Sequence, residues 1–246
     1  MENQLIHEWR KNLGAVPISS HLLEFCKKEF LHKRQNFTIE GKLDLRKASF
    51  VGQDLRGVSF VEFDISGSDF TDCKVDREGF INLISYVKLG TVSLKGLDIN
   101  GLDLTNLDLF GIDLSSLNFT GVKLDRNTLL SILLGSRNIS FAGVNFKDIN
   151  LTGQPVSDTV NGVIGFNYFD LEGLNFDKAN FENAELSGVN LSSSSFQKAN
   201  FKNARIIGSI AVEANFSSAN FSNAKLMHSD FTNAVFDYAD LSDTQV

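Results

Sequence analysis

The stretch Phe176-Asp-Lys-Ala-Asn-Phe181-Glu-Asn-Ala-Glu-Leu186 returns 20 residues later as Phe196-Gln-Lys-Ala-Asn-Phe201-Lys-Asn-Ala-Arg-Ile206. It returns again as Phe216-Ser-Ser-Ala-Asn-Phe221-Ser-Asn-Ala-Lys-Leu226. Within each copy a large apolar residue recurs at every fifth position. Read outward, that series runs from Phe141 through Phe146, Leu151, Val156, Phe166 and Leu171 to Phe236 and Leu241, and only Asn161 and Ala211 break it. Two earlier blocks keep the period in other phases: Leu45, Phe50, Leu55, Phe60, Ile65, Phe70, Val75, and Leu94, Ile99, Leu104, Leu109, Leu114, Phe119, Leu124. Together these are 35 positions holding 15 of the 22 Phe, where chance would place about 3.

A period of five fits neither a helix nor a strand. The position two before each centre is also apolar or small, as in Leu97, Leu102, Leu107 and Ala179, Ala184, Ala199, Ala204. The residue between is polar, as in Asp98, Asp103, Asp108 and Asn180, Asn190, Asn200. Each pentad therefore holds an in-out-in triplet, a very short strand. The two remaining residues must turn a corner. Twelve of the 19 Gly fall two residues after a centre, and Asn183, Asn203, Asn223 and Asn233 fill the same place. Gly and Asn tolerate the positive φ of a tight turn. The 20-residue copies set four pentads per lap, so like residues stack: Phe176, Phe196, Phe216 and Phe236 in one column, Phe181, Phe201 and Phe221 in another. A single lap has no core of its own and buries its apolar residues only against its neighbours.

Ala-Asn-Phe at 179–181, 199–201, 214–216 and 219–221 resembles the pentapeptide-repeat family, whose consensus is Ala-(Asp/Asn)-(Leu/Phe)-X-X. The resemblance spans residues 43–246 with two gaps. It implies an all-β solenoid, a right-handed quadrilateral β-helix, of nearly nine laps for these 35 centres.

Both gaps begin alike, after Lys74-Val75-Asp76-Arg77 and Lys123-Leu124-Asp125-Arg126, and both end in Gly, at Gly90 and Gly135. Each reads as a short helix with Asp as N-cap and Gly as C-cap. They are helical insertions at about 76–91 and 125–138, expected to cover a flank of the solenoid, with a partner-binding knob as the sharper reading. The stretch Gln154–Gly165 departs from the pattern without losing phase, since Val156 and Phe166 are ten apart; an outward loop is expected. Residues 1–40 lack the pentad and read as a helical N-terminal cap, with an apolar stripe at Leu22, Leu23, Phe25, Cys26, Phe30 and Leu31. Residues 41–246 form the β-helix domain. The pattern runs through Phe236 and Leu241 to Val246 without a cap, which leaves strand edges open to a second copy.

Composition narrows the function classes. The 246 residues are 42% hydrophobic and 22% charged with net charge -7. That is ordinary for a folded globular chain and unlike a strongly basic nucleic-acid binder, so no direct nucleic-acid binding is expected. No run of 18 apolar residues marks a membrane span, and the first residues do not read as a secretory signal. Low Pro and the family's distribution point to a bacterial source. Cys26 and Cys73 make no disulfide framework, and His7, His21, His32 and His228 form no ligand pattern, so no metal and no cofactor is expected. Asp98, Asp103, Asp108 and Asp113 look like a carboxylate ladder. On successive sides of a square coil they cannot converge, so they read as turn-stabilising. No catalytic residue is assigned, and a smooth convex solenoid is a poor enzyme scaffold.

The function expected is a non-enzymatic protein–protein interaction module. Similar proteins include secreted bacterial effectors, which would act in a host cell; otherwise the chain is expected in the bacterial cytoplasm. Candidate contact residues are Phe80, Ile84, Leu130, Leu133, Phe236, Tyr238 and Leu241. The partners expected are an unidentified protein and a second copy through the C-terminal end. The alternative is a duplex-DNA mimic of the gyrase-binding quinolone-resistance type, a reading the family resemblance implies. Net charge is +1 over 1–40, -2 over 41–156 and -6 over 157–246, the last interrupted by Lys178, Lys198, Lys202 and Arg205. That is much sparser than the one charge per about 1.7 Å of duplex DNA.

Overall fold

The backbone winds as a square coil because each pentad makes one side and one corner. The computed structural model of the chain describes residues 38–39, 42–61, 63–88, 90, 92–135, 139–152, 154–158, 163–167 and 169–246. The expected N-terminal cap lies outside them apart from its last residues. Parallel bridges join residues one lap apart along four sides: Asn175, Ser195, Asn215 and Val235; Asn180, Asn200, Asn220 and Asp240; Glu185, Arg205, Lys225 and Gln245; Asn190, Ile210 and Asp230. The amide of each centre donates forward, as Phe196 does to Asn215 (2.7 Å), and that of each outward residue donates backward, as Asn200 does to Ala179 (2.9 Å). A turn closes each corner, as where the Ala199 amide donates to the Phe196 carbonyl (3.0 Å). The residue two after the centre takes positive φ there, whether Gly173 (70°), Asn203 (59°) or Lys198 (60°).

The coil falls into two compact units. The first holds the described residues through Leu102 together with Gly111–Asn118. Strand β1 (Thr38–Ile39) pairs antiparallel with β2 (Lys42–Asp44), which pairs parallel with β3 (Phe63–Asp64). Phe50 and Phe70 stack 4.7 Å apart with Phe60 edge-on to both. Helix α1 (Arg77–Lys88) lies within a lap. Asp54 bridges Lys74, which bridges Asp98, so that step spans 24 residues where the plain lap spans 20. The helix thus stands in for two sides of the square. Asp76 caps it, accepting from the Gly79 amide (2.8 Å), and its other oxygen accepts from Gly57 a lap earlier (2.5 Å). Phe80, Leu83 and Ile84 are buried, and Gly90 ends the segment at φ 69°.

The second unit holds Asp103–Phe110 and Phe119–Val246. Helix α2 (Arg126–Gly135) likewise sits within a lap, between Lys123 and its bridge partner Asn145. Asp125 caps it through the Thr128 amide (2.8 Å). Gly135, expected as a C-cap, is instead the last helical residue. The next lap is longer still: Asn145 bridges Asn180 and Asn150 bridges Glu185, 35 residues on. The excess of 15 is a β-hairpin of β4 (Gln154–Asp158) and β5 (Val163–Asn167), pairing Pro155 with Phe166 and Val156 with Gly165. Val156 and Phe166 are therefore not centres of the coil, as their phase suggested. Fifteen is a multiple of five, so the excursion kept the period while leaving the ladder. The coil resumes at β6 (Phe169–Asp170), which pairs with β7 (Val189–Asn190).

Two aromatic columns fill this unit. Phe141, Phe176, Phe196, Phe216 and Phe236 stack at 5.0–5.5 Å. Phe146, Phe181, Phe201 and Phe221 stack at 4.8–5.0 Å. Rings of adjacent columns meet edge-on, as Phe196 and Phe201 do at 5.4 Å, the arrangement the ring quadrupole favours. All but Phe236 are fully buried; Phe231 and Phe236, on the last lap, are half-buried.

Candidate functional site

Each side of the coil presents one outward side chain, and most of these hold a corner rather than a ligand. Asp98, Asp103, Asp108 and Asp113 each accept the amide two residues on, at Asn100, Thr105, Phe110 and Ser115 (3.0–3.1 Å). Asn180, Asn200, Asn215 and Asn220 do the same. This Asx turn explains why Asp and Asn occupy the position. Where Ser or Thr follows, its hydroxyl donates too, and that bond with the amide holds Asp69, Asp113 and Asp230 below the usual carboxylate range. The Arg56 guanidinium holds Asp54 down to about 2. Neighbouring laps are stitched laterally: Asn200 donates to Asn180 (3.0 Å), Asn203 to Asn183 (3.0 Å), and Arg205 pairs with Glu185 (2.8 Å).

The inward position has its own rule. Where it holds a hydroxyl or thiol in place of Ala, that group donates to the carbonyl 23 residues back: Ser68 to Leu45, Cys73 to Phe50, Ser194 to Leu171, Ser209 to Leu186 (2.7–2.8 Å). Burial pushes the Cys73 thiol up to about 11, which makes it a packing group and not a nucleophile. Among the described residues no buried side-chain nitrogen or oxygen lacks a partner, and no cluster of His, Cys, Asp and Glu could hold a metal. A groove of about 370 Å³ in the first unit is lined by Val87, Val92, Ser93, Leu94, Lys95, Asp113 and Ser116. None of the described helices is long and apolar enough to cross a membrane.

Helix α2 is anchored by polar side chains that replace a strand ladder. The Thr128 hydroxyl accepts from the Leu107 amide and donates to the Leu104 carbonyl, both at 3.1 Å. Ser131 accepts from Leu109 (3.0 Å), and Asp125 from Asn106 (2.9 Å). Leu129 and Ile132 are buried beneath. The opposite face is not covered: Leu130 is 36% exposed, Leu134 73%, and nearby in sequence to its anchor Leu109, Phe110 is 56%. Of the contact residues expected from sequence, Leu130 is exposed and Leu133 half-buried, whereas Phe80 and Ile84 on α1 are buried and present no docking face. Their helix replaces two sides of a lap and turns Phe80, Leu83 and Ile84 to the core, while Ile81 is exposed. Tyr238 is 94% exposed, Leu241 is exposed and Phe236 half-buried. Leu134 and Phe110, outside that expected set, are exposed as well. Phe110 stands at a corner, off the five-residue centres, and that misplacement was the available signal.

A profile described as pentapeptide repeats matches this chain in 8 copies, over residues 42–72, 167–210 and 213–246. No curated protein matches. Among solved structures, the pentapeptide repeat protein Rfr23 from the cyanobacterium Cyanothece is similar at 22% identity and TM-score 0.32, covering 44% of this chain and 80% of that one. QnrB1, a plasmid-mediated fluoroquinolone resistance protein, is similar at 18% identity and TM-score 0.28, covering 85% and 79%. HetL from Nostoc, involved in heterocyst differentiation regulation, is similar at 18% identity and TM-score 0.19, covering 82% and 84%.

Proposed function

With the chain belonging to the pentapeptide-repeat family through those three stretches, we propose that it works as a non-enzymatic protein–protein interaction module. The observation that carries the reading is apolar exposure in the second unit: Leu130 and Leu134 on α2, and Phe110, which follows the Leu109 whose amide donates to Ser131 of that helix. Many of the outward Asp and Asn side chains are committed to corners and ladders. Exposed apolar side chains gathered on a rigid element are what a partner buries. The effector role, with delivery into a host cell, is the form this would take in a pathogen; action in the bacterial cytoplasm is the simpler form.

The test is capture of partners from bacterial and eukaryotic lysates with the native chain and with Leu134→Lys/Phe110→Ser. A partner retained by the first and lost by the second supports the module. Equal capture by both removes α2 as the contact. The gyrase-binding alternative is read in parallel. Inhibition of supercoiling, or protection from a quinolone, would favour the DNA mimic. The half-buried Phe231 and Phe236 and exposed Leu241 also suit a second copy of the chain, and a dimer mass in solution that reverts with Leu241→Lys would support that proposal.

A further inference from the structure

In the second unit Val235 is one outward residue that is not polar, and a larger group of apolar outward and corner residues runs from the lap of Ile210 into the next, at Met227. That group falls on one side of the square. At the outward place Asp170, Asn190 and Asp230 share a column with Ile210, joined by parallel bridges. At the corner that follows, Glu172, Ser192 and Thr232 share a column with Val212, joined by the bonds from Gly173 to Ser192, Ser193 to Val212 and Glu213 to Thr232. At the corner before, Ser187 lies beneath Ile207 and Met227, through the bonds from Gly188 to Ile207 and Gly208 to Met227. Ile207, Ile210, Val212 and Met227 are all half-buried. None of them supplies the core at its lap, which comes from the fully buried Ile206, Ala211 and Ala214 and from Leu226.

The charges on the strip's own columns have one sign. Glu213 follows Val212, Asp230 stacks on Ile210, and Asp170 and Glu172 occupy the same two columns earlier in the coil. The Asn190 amide donates to both of those carboxylates (3.1 Å each). Thr232 donates to Asp230 by amide (2.9 Å) and hydroxyl (2.6 Å), which holds its carboxyl below the usual range. The described positions of these columns contain no Lys or Arg. The unit's cations stand on other columns: Arg205, paired to Glu185, and Lys225 lie on the column just before Ile207 and Met227, and Lys147 pairs with Glu182.

From this juxtaposition we infer that the side carrying Ile207, Ile210, Val212 and Met227, rimmed by Glu213, Asp230, Asp170 and Glu172, docks a cationic amphipathic segment of another protein. The partner's apolar side chains cover the strip and its Lys or Arg side chains meet the carboxylates. A polar ligand would leave the four apolar side chains unused, and a purely apolar one would desolvate the carboxylates without compensation. The surface deepens the interaction-module reading but uses residues separate from the α2 patch, so the two can fail independently.

The probe is an amphipathic peptide of Leu and Lys about five helical turns long, with its scrambled isomer and oligolysine as controls. Binding to the whole chain is read by fluorescence anisotropy. The amphipathic peptide should bind, and the scrambled isomer and oligolysine should bind about tenfold more weakly. Ile210→Asn, which repeats the residue that Asn190 places in the same column, and Glu213→Lys should each weaken binding about tenfold. Leu134→Lys should leave it unchanged. Circular dichroism confirms that each variant keeps its coil, and Val212→Ser serves in place of any that does not. The inference is overturned by no binding, by equal binding of oligolysine, or by affinities indifferent to Ile210 and Glu213.

Discussion

The guanidinium of Arg126 lies 4.7 Å from the centre of the Phe169 ring, and its Nη1 donates to the Thr152 carbonyl (2.9 Å). Arg126 opens helix α2, whereas Thr152 and Phe169 stand at the two feet of the β4–β5 hairpin. One side chain therefore ties the helix to the place where the chain leaves the coil and the place where it returns. Burial lowers the Arg126 pKa, but guanidinium stays charged at any physiological pH. Arg126→Met keeps the stem and removes both contacts. It should cost about 1–2 kcal/mol and speed proteolytic cleavage between 152 and 169. A urea titration and a timed chymotrypsin digest, which can cut at Phe166, Tyr168 and Phe169, check this; unchanged values in both would show that the clamp is idle.

Thr128 is fully buried, and its hydroxyl serves Leu107 and Leu104 together. Thr128→Val has nearly the same shape and orphans an amide and a carbonyl at once. The expected loss is about 1–3 kcal/mol, measured by urea unfolding. Thr128→Ser keeps the hydroxyl and should recover most of the loss.

Two corner glycines with the same backbone should respond differently. Gly96 (φ +69°) has the Asp72 carboxylate 2.5 Å from where a Cβ would sit, while Gly101 (φ +71°) has open space there. Gly101→Ala should cost only the left-handed strain, about 1 kcal/mol. Gly96→Ala must also displace Asp72 and should cost about 1–3 kcal/mol more. Thermal melts of the two variants give the ranking, and equal melting points would contradict it.

Carboxylates in the Asx turns give the fold an acid limit. Asp69 accepts from the Thr71 hydroxyl (2.6 Å) and amide (3.0 Å), which lower its pKa; Asp54 is held at about 2. A pKa depressed in the folded state adds stability that is present above the unfolded value of about 3.9 and is lost as pH falls through the folded one. Stability should therefore decline between about pH 4 and pH 2. Asp69→Asn keeps an acceptor for the turn, as Asn180 and Asn200 do, so it should unfold alike at pH 7 and less steeply in acid. Urea midpoints at pH 7, 4 and 3 decide.

Much of this was legible because each lap repeats the last. A Phe at every fifth place, a Gly or Asn two residues later and an Ala two before state the same local rule many times, and the rule needs no distant partner to be read. The Asx role of Asp98, Asp103, Asp108 and Asp113 was legible for that reason. The excursions were not. Val156 and Phe166 kept the period because 15 extra residues preserve a five-residue phase, and it takes the bridges from Asn145 to Asn180 and Asn150 to Glu185 and the hairpin pairing to show that they left the coil. The helix faces were equally mute. Phe80 with Ile84 and Leu130 with Leu134 are both apolar pairs four residues apart, yet one is buried and the other exposed.

The chain alone determined the square lap, its corners and its aromatic columns, since these follow from short-range sterics and from burying one face of every pentad. The tertiary structure decided which apolar residues remain outside: the second side of α2, and the strip from Ile207 to Met227. Burial depends on what stands opposite a side chain one lap away, and no local pattern carries that information.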